Sequence, residues 1–222
     1  YVLDGEAFPD PATAFQPQGV HGPSELVDFA AFAWTDQSWQ GLGRDELVIY
    51  ELHIGTFTES GTLLGAVERL DELVELGVNA VELMPLADFP GKWNWGYDGV
   101  ALFAPSHHYG NPEALHRFVD ACHARGLAVL LDVVYNHLGP EGNYLSKFGP
   151  YFGGRQTPWG QAPQFSGPHA DTVRGFFRSN ARHWVEHYHF DGLRFDAIGA
   201  IPDGGDDHII NEIGRDLHRI AA

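Results

Sequence analysis

The sequence predicts an α/β fold of the (β/α)8 TIM-barrel type, with only the first four βα units present, preceded by the tail of an N-terminal β-domain and a linker. Apolar strand-like runs alternate with helical patterns four times between Leu47 and Ile220, which is the mark of a parallel sheet. Loops after the strands are long, whereas turns after the helices are short (ELGVN, HARGLA). That asymmetry suits a barrel, whose functional groups stand on loops at the C-terminal ends of the strands. The competing doubly wound sheet usually carries a Gly-rich phosphate turn after its first strand, and ELHIGTFTESG has no G-x-G-x-x-G. A whole barrel takes about 250 residues.

Residues 1 to about 45 differ in texture from the rest. YVLDGEAFPDPATAFQPQGVHGPSE is rich in Pro and Gly without helical period, so it reads as a strand end and an ordered linker. Residues 46–222 form the barrel part. Leu47–Gly55 is an apolar strand. Thr62–Leu76 follows as a helix, with Leu63, Ala66, Val67, Leu70, Leu73, Val74 and Leu76 at helical spacing and Gly77 as its stop. Val78–Met84 is the second strand. After a long loop, Asn111 caps a helix over Pro112–Arg125 that ends at Gly126. Leu127–Val134 is the third strand, apolar on both faces as parallel strands are. Another long loop leads to a helix over Asp171–His187, and Gly192–Phe195 is the fourth strand. Asp206 or Asp207 is expected to cap a last helix running to about Ile220. The inward face of the sheet is expected to carry residues such as Val81, Leu83, Leu130 and Val133. With four strands, two sheet edges stay open, so self-association of the isolated chain is expected.

Composition excludes several function classes. The 222 residues carry a net charge of −17 with only 13 Lys and Arg, which speaks against a nucleic-acid partner, because neutralising phosphates needs clustered cations. No apolar run reaches membrane-spanning length, and the N-terminus shows no basic-then-apolar leader, so no membrane partner and a cytoplasmic location are expected. The single cysteine, Cys122, lies four residues after Phe118 on a predicted helix face and reads as a small core residue. Aromatic residues are concentrated in segments read as loops: Trp93, Trp95, Tyr97, Tyr109, Tyr144, Tyr151, Phe152 and Trp159. Aromatic rings beside carboxylates and amides in loops suit a sugar, whose ring face is apolar and whose edge is all hydroxyl.

Three strand ends deliver polar clusters to one face of the sheet. The second strand leads into WNWGYDG, Trp93–Gly99; the third ends in DVVYNH, Asp132–His137; the fourth ends in GLRFDA. Arg194 and Asp196 stand two apart on a strand and so point the same way. A guanidinium beside a carboxylate keeps it ionised and oriented, as a nucleophile requires. An isolated R-x-D is more often a plain ion pair, and it is the company of the other two clusters that raises it to a catalytic candidate.

Together these segments resemble the α-amylase clan of glycoside hydrolases, (β/α)8 barrels acting on α-glucosidic bonds. The resemblance covers about Leu47 to the C-terminus. It rests on D-x-x-x-N-H after one strand and G-x-R-x-D after the next, about sixty residues on. Within the clan, DPATAFQPQGVHGPSELVD followed by LVIYELHIGTFT is similar to the maltooligosyl trehalose trehalohydrolases, which implies a maltooligosaccharide or maltooligosyl trehalose substrate and release of trehalose. Branching enzymes share YELHIG and VELMPL and are the runner-up, and a non-catalytic glucan-binding fragment is the reading from another class. The resemblance implies that Asp196 is the nucleophile of a retaining mechanism and that Arg194 holds it ionised. It implies that His137 and Tyr97 line the subsite of the sugar to be cleaved, with Asp132 and Asn136 supporting it and Asp132 pairing with Arg194. Asp98 and Trp95 are further candidate substrate contacts.

The sequence departs from the clan's pattern in one respect. Retaining hydrolysis needs a second carboxylic acid about 5 Å from the nucleophile, which in the clan is a Glu after the fifth strand, with a further Asp after the seventh. Neither strand is found here, so the chain alone is expected to be silent. Glu212 reads as mid-helix and solvated or surface-paired, and Glu51 and Glu82 lie within strands, where they would pair inside the barrel. No metal or cofactor is called for: His183 and His187 are i and i+4 with no third ligand at fitting spacing, and His107-His108 is a loop pair. PDGGDD lacks EF-hand spacing, and GGRQTPWGQ is a loop without the Lys-Ser/Thr of a phosphate cradle.

Overall fold

A computed structural model describes residues 1–220. The chain opens with a hairpin, β1 (Val2–Leu3) and β2 (Glu6–Ala7), closed by the Asp4-Gly5 pair, both at positive φ as a two-residue turn requires. Then follow β3 (Ile49–Leu52), α1 (Ile54–Phe57), α2 (Leu63–Val67), α3 (Leu70–Leu76) and β4 (Ala80–Leu83). A second hairpin, β5 (Ala87–Asp88) and β6 (Ala101–Pro105), precedes α4 (Pro112–His123) and β7 (Ala128–Val133). Next come α5 (Leu145–Phe148), a third hairpin, β8 (Phe152–Thr157) and β9 (Gly160–Pro163), then α6 (Ala170–Tyr188), β10 (Gly192–Phe195) and α7 (Ile209–Ile220).

The four predicted strands form one parallel sheet in the order β10-β7-β4-β3, which is the chain order of consecutive barrel strands. Side chains alternate across it. Leu52, Val81, Leu83, Val129, Leu131 and Val133 point to the helix side and are buried in one cluster with Leu63 and Leu70, Leu115 and Phe118 of α4, and Phe177 and Trp184 of α6. Cys122 is buried in the same cluster. The opposite, inward face carries Glu51 and Glu82, which are register partners, then Leu130 and Gly192 at the same level. The expected inward lining is corrected accordingly: only Leu130 of the four named residues faces in, because Val81, Leu83 and Val133 share the outward phase of their strands. Burial, then the Glu51 charge, raise the Glu82 carboxyl above its ordinary range, while Arg194 draws it down.

Other boundaries differ from expectation for local reasons. The first strand is shorter than Leu47–Gly55, since His53 begins the helical turn of α1. The helix expected over Thr62–Leu76 breaks at Glu68-Arg69; Leu63, Ala66, Leu70 and Leu73 stay buried across it, so the period does not register the break, whereas Val74 and Leu76 are exposed. Gly77 stops it at φ 91°, a left-handed conformation that suits glycine. Asn111 caps α4 as expected, its side chain accepting from Ala114 N. The last helix is not capped by Asp206 or Asp207. Asp203 Oδ2 accepts from Ile209 N at 2.7 Å, while Asp207 is drawn to Asn211 and Arg215. Glu212 pairs with Arg174 at 2.8 Å, but Arg174 is itself buried, so the pair is partly buried rather than the solvated or surface pair expected.

Residues 29–40 pack against the start of the sheet. His123 of α4 is held between Asp36 at 2.9 Å and Asp191 at 3.1 Å, with Trp39 stacked on its ring. His187 stacks on Phe29, and His183 bonds the Phe103 carbonyl, so these two histidines are engaged in packing. Among the described residues no helix is long and apolar enough to cross a membrane.

Candidate active site

β7 and β10 pair so that Asp132 and Arg194 are direct register partners on the inward face. Nη1 of Arg194 donates to both Asp132 oxygens, at 3.0 and 2.9 Å, and to Asp196 Oδ1 at 2.9 Å. One guanidinium therefore bridges carboxylates from two adjoining strand ends. The ladder continues one residue past β10, where Asp196 N donates to Val133 O at 3.0 Å. It stops at Ala197, which takes a left-handed conformation (φ 42°, ψ 52°). Such backbone is strained for a residue with a Cβ and gathers at functional sites; here it turns the chain away and leaves Asp196 at the rim.

Asn136 fixes the other side of Asp196. Its Nδ2 donates to the Asp196 carbonyl and to Oδ2, both at 3.1 Å. The two carboxylate oxygens of Asp196 are thus held from opposite sides, by Asn136 and Arg194. His137 is buried, with Nε2 bonded to the Tyr97 carbonyl at 2.8 Å and Nδ1 to Asn136 Oδ1. Both ring nitrogens are occupied, and the ring ties the WNWGYDG loop to the end of β7. Tyr97 Oη donates to Asp132 Oδ2 at 3.1 Å. The loop reaches that place because Gly96, at φ +97°, lies against Pro85: a Cβ there would stand 2.7 Å from the Pro85 carbonyl oxygen. Six of the eight sequence candidates, Tyr97, Asp132, Asn136, His137, Arg194 and Asp196, are joined in this way. Asp98 is exposed, and no hydrogen bond among the described residues ties its carboxylate to the group. Trp95 is 71% exposed and meets the ring of His53 edge-on.

Two residues absent from the sequence-based site stand close by. Trp159, 58% exposed at the tip of the β8–β9 hairpin, lies 5.9 Å from the His137 ring, and the bond from Leu138 N to Gln161 O holds that hairpin against the segment that follows β7. His53, at the end of β3, bonds the Asn94 carbonyl at 2.9 Å and Tyr109 Oη. Its signal was present in ELHIG, a polar ring at a strand end before a glycine. Tyr109 lies in a loop as expected, but its ring is buried in the core.

Electrostatics distinguish the partners. Burial pushes the Asp132 carboxyl up to about 6, although the Arg194 and Tyr97 hydrogen bonds pull the other way. Burial alone would lower Arg194, but its bonds to Asp132 and Asp196 outweigh this and raise it. Burial, followed by the Asp132 charge, raises the Tyr97 phenol, which stays protonated as a donor. The raised Asp132 value has a consequence for stability. An acid with a folded pKa above its unfolded one contributes stability that is present below about pH 4 and lost as pH rises through about 6. Asp132→Asn is expected to flatten the fall in unfolding free energy across that window, measured by urea titration; an unchanged slope would show that other groups carry it.

The model of the alpha amylase catalytic domain matches residues 30–155, more than half of the chain. Malto-oligosyltrehalose trehalohydrolase of Saccharolobus solfataricus is 49% identical over 221 residues, covering 99% of this chain and 39% of that protein. The enzyme of the same name from Arthrobacter ramosus is 51% identical, covering 100% and 39%. A solved Salmonella typhimurium structure, described with the alpha amylases, superposes with a TM-score of 0.92 at 44% identity, over 97% of this chain and 37% of that one. The chain thus spans under two-fifths of the length of these relatives.

Proposed function

This chain belongs to the α-amylase family, and from that premise we propose that it carries the nucleophile half of a retaining glycosidase that releases trehalose from maltooligosyl trehalose. The observation that carries the reading is the single Arg194 guanidinium shared by Asp132 and Asp196 at adjoining strand ends. Asp196 attacks the anomeric carbon, the glucosidic C–O bond breaks, and the leaving oxygen takes a proton from a carboxylic acid. Water then cleaves the glycosyl–aspartate ester with that acid acting as base. Asp132 does not suit the acid role, because its side chain is wholly buried and bonded to Arg194 and Tyr97. The family pattern assigns the acid to a Glu after a fifth strand, and on this reading the chain alone is expected to be silent. Arg194 orients the Asp196 carboxylate. Tyr97 and His137 line the cleaved sugar's subsite, backed by Asn136 and Asp132, while Asp98 and Trp95 meet the sugar chain further out. No nucleic acid takes part.

The trehalose-capped substrate is supported by identities near 50% to trehalohydrolases over essentially the whole chain. The same reading takes residues 1–45 as the tail of a separate β-domain with its linker, a cytoplasmic location, and self-association of the isolated barrel part through the outer edges of β3 and β10. Product analysis on maltooligosyl trehalose with the complete enzyme tests it. Free trehalose with a shortened maltooligosaccharide is expected, whereas new α-1,6 branches would replace the reading with that of a branching enzyme. Binding without turnover would leave a glucan-binding protein.

A further inference from the structure

Behind the site, α6 buries three polar side chains, Arg174, Asn180 and His183. Asn180 is buried at 1% exposure and uses both ends of its amide. Its Oδ1 accepts from Tyr135 Oη at 2.6 Å, and its Nδ2 donates to the Leu102 carbonyl of β6 at 2.9 Å. Each partner leads directly to a different part of the site. Tyr135, itself 1% exposed, immediately precedes Asn136, which grips Asp196 from the side opposite Arg194. Leu102 belongs to the β5–β6 hairpin, whose connecting excursion carries Tyr97 to Asp132. Asn180, Tyr135, Asp132 and Gly96 also line one cavity of about 20 Å³, so little slack separates them.

We infer that Asn180 and Tyr135 are positioning residues for the hydrolysis, fixing through one shared hydrogen bond the register between the Tyr97 loop and the Asn136 grip on Asp196. The inference rests on the glycosidase reading. The physical ground is that a buried amide with both ends committed has no alternative partner, so losing either bond leaves an orphaned polar group and frees the segment it held. Displacement of a reacting group by a fraction of an ångström lowers rate more than affinity. His183, one turn further along α6, bonds the Phe103 carbonyl at 2.9 Å and so joins the same helix to the same strand without touching Tyr135. It serves as the structural control.

Tyr135→Phe keeps the ring, which packs edge-on against Phe177 and Phe195, and removes only the hydroxyl. In the complete enzyme it is expected to lower kcat about tenfold with KM held within about threefold. The same loss is expected from Asn180→Ala, and the Tyr135→Phe loss should vanish in an Asn136→Ala background, since both act through one contact. His183→Ala should lower Tm while keeping kcat. Amide hydrogen exchange gives a readout that needs no substrate. Tyr135→Phe should speed exchange in residues 96–100 and 136–138 together, and His183→Ala should leave 136–138 unchanged. If the wild-type enzyme cleaves no α-glucan, the functional reading fails, and the exchange data alone decide the coupling. A folded Tyr135→Phe protein with wild-type kcat, or with exchange unaltered in both segments, overturns the inference, as do equal kcat losses in His183→Ala.

Discussion

Asp196→Asn in the complete enzyme is expected to lower kcat by on the order of 10³-fold or more while oligosaccharide affinity stays within a few-fold. The amide keeps the shape of the carboxylate and can still accept from Arg194 through its oxygen, but it cannot form the glycosyl ester. The geometry gives this substitution its sharpness. Arg194 at 2.9 Å and Asn136 at 3.1 Å hold the two oxygens of Asp196 from opposite sides, so the group is oriented before substrate arrives. Turnover is measured by trehalose release and affinity by titration calorimetry with maltooligosaccharide. Near-normal turnover would move the nucleophile elsewhere.

Arg194→Met is expected to remove activity nearly as completely and, unlike Asp196→Asn, to weaken the fold. It strips the Asp132 carboxylate of both short contacts from Arg194 and leaves only the Tyr97 hydroxyl. Breaking a wholly buried ion pair costs about 3–5 kcal/mol. The Arg194 side chain is 43% exposed, and solvent already screens part of that interaction, so a loss of about 2 kcal/mol is expected. Without its cation, Asp132 should titrate still higher than about 6. Urea unfolding and a pH titration of stability check both parts. A variant as stable as wild type would mean that the bridge contributes orientation alone.

The barrel sheet and the heart of the site were legible in the sequence because each rests on a local rule. Parallel strands buried on the helix side announce themselves as apolar runs, and β10 was found to the residue. Arg194 and Asp196 follow from the two-residue period of a strand, while the pairing of Arg194 with Asp132 was implied by the family resemblance and is met here as direct register partners on β10 and β7. The hairpins were not legible. β8, FGGRQT, is mostly exposed and has no apolar alternation, and it is ordered by backbone bonds to β9 and by the bridge from Leu138 to Gln161. Trp159 was therefore read as a loop aromatic without a place, although its hairpin sets it against His137. The strained turn at Ala197 leaves no sequence mark, since it is imposed by the packing around Asp196 rather than chosen by an alanine. Similarly, Asn180 looks like any polar residue within a helix until β6 and Tyr135 are seen to close on both ends of its amide.

On the proposed mechanism Asp196 is the group that becomes covalently bonded to the sugar. A 5-fluoroglycosyl fluoride forms the ester quickly and hydrolyses it slowly, so the intermediate accumulates and its peptide can be sequenced by mass spectrometry. One glycosyl unit is expected on the peptide that contains Asp196, lost on incubation with an acceptor sugar and absent in Asp196→Asn. A label on any other carboxylate, or inactivation of the Asp196→Asn variant at the wild-type rate, would contradict that mechanism.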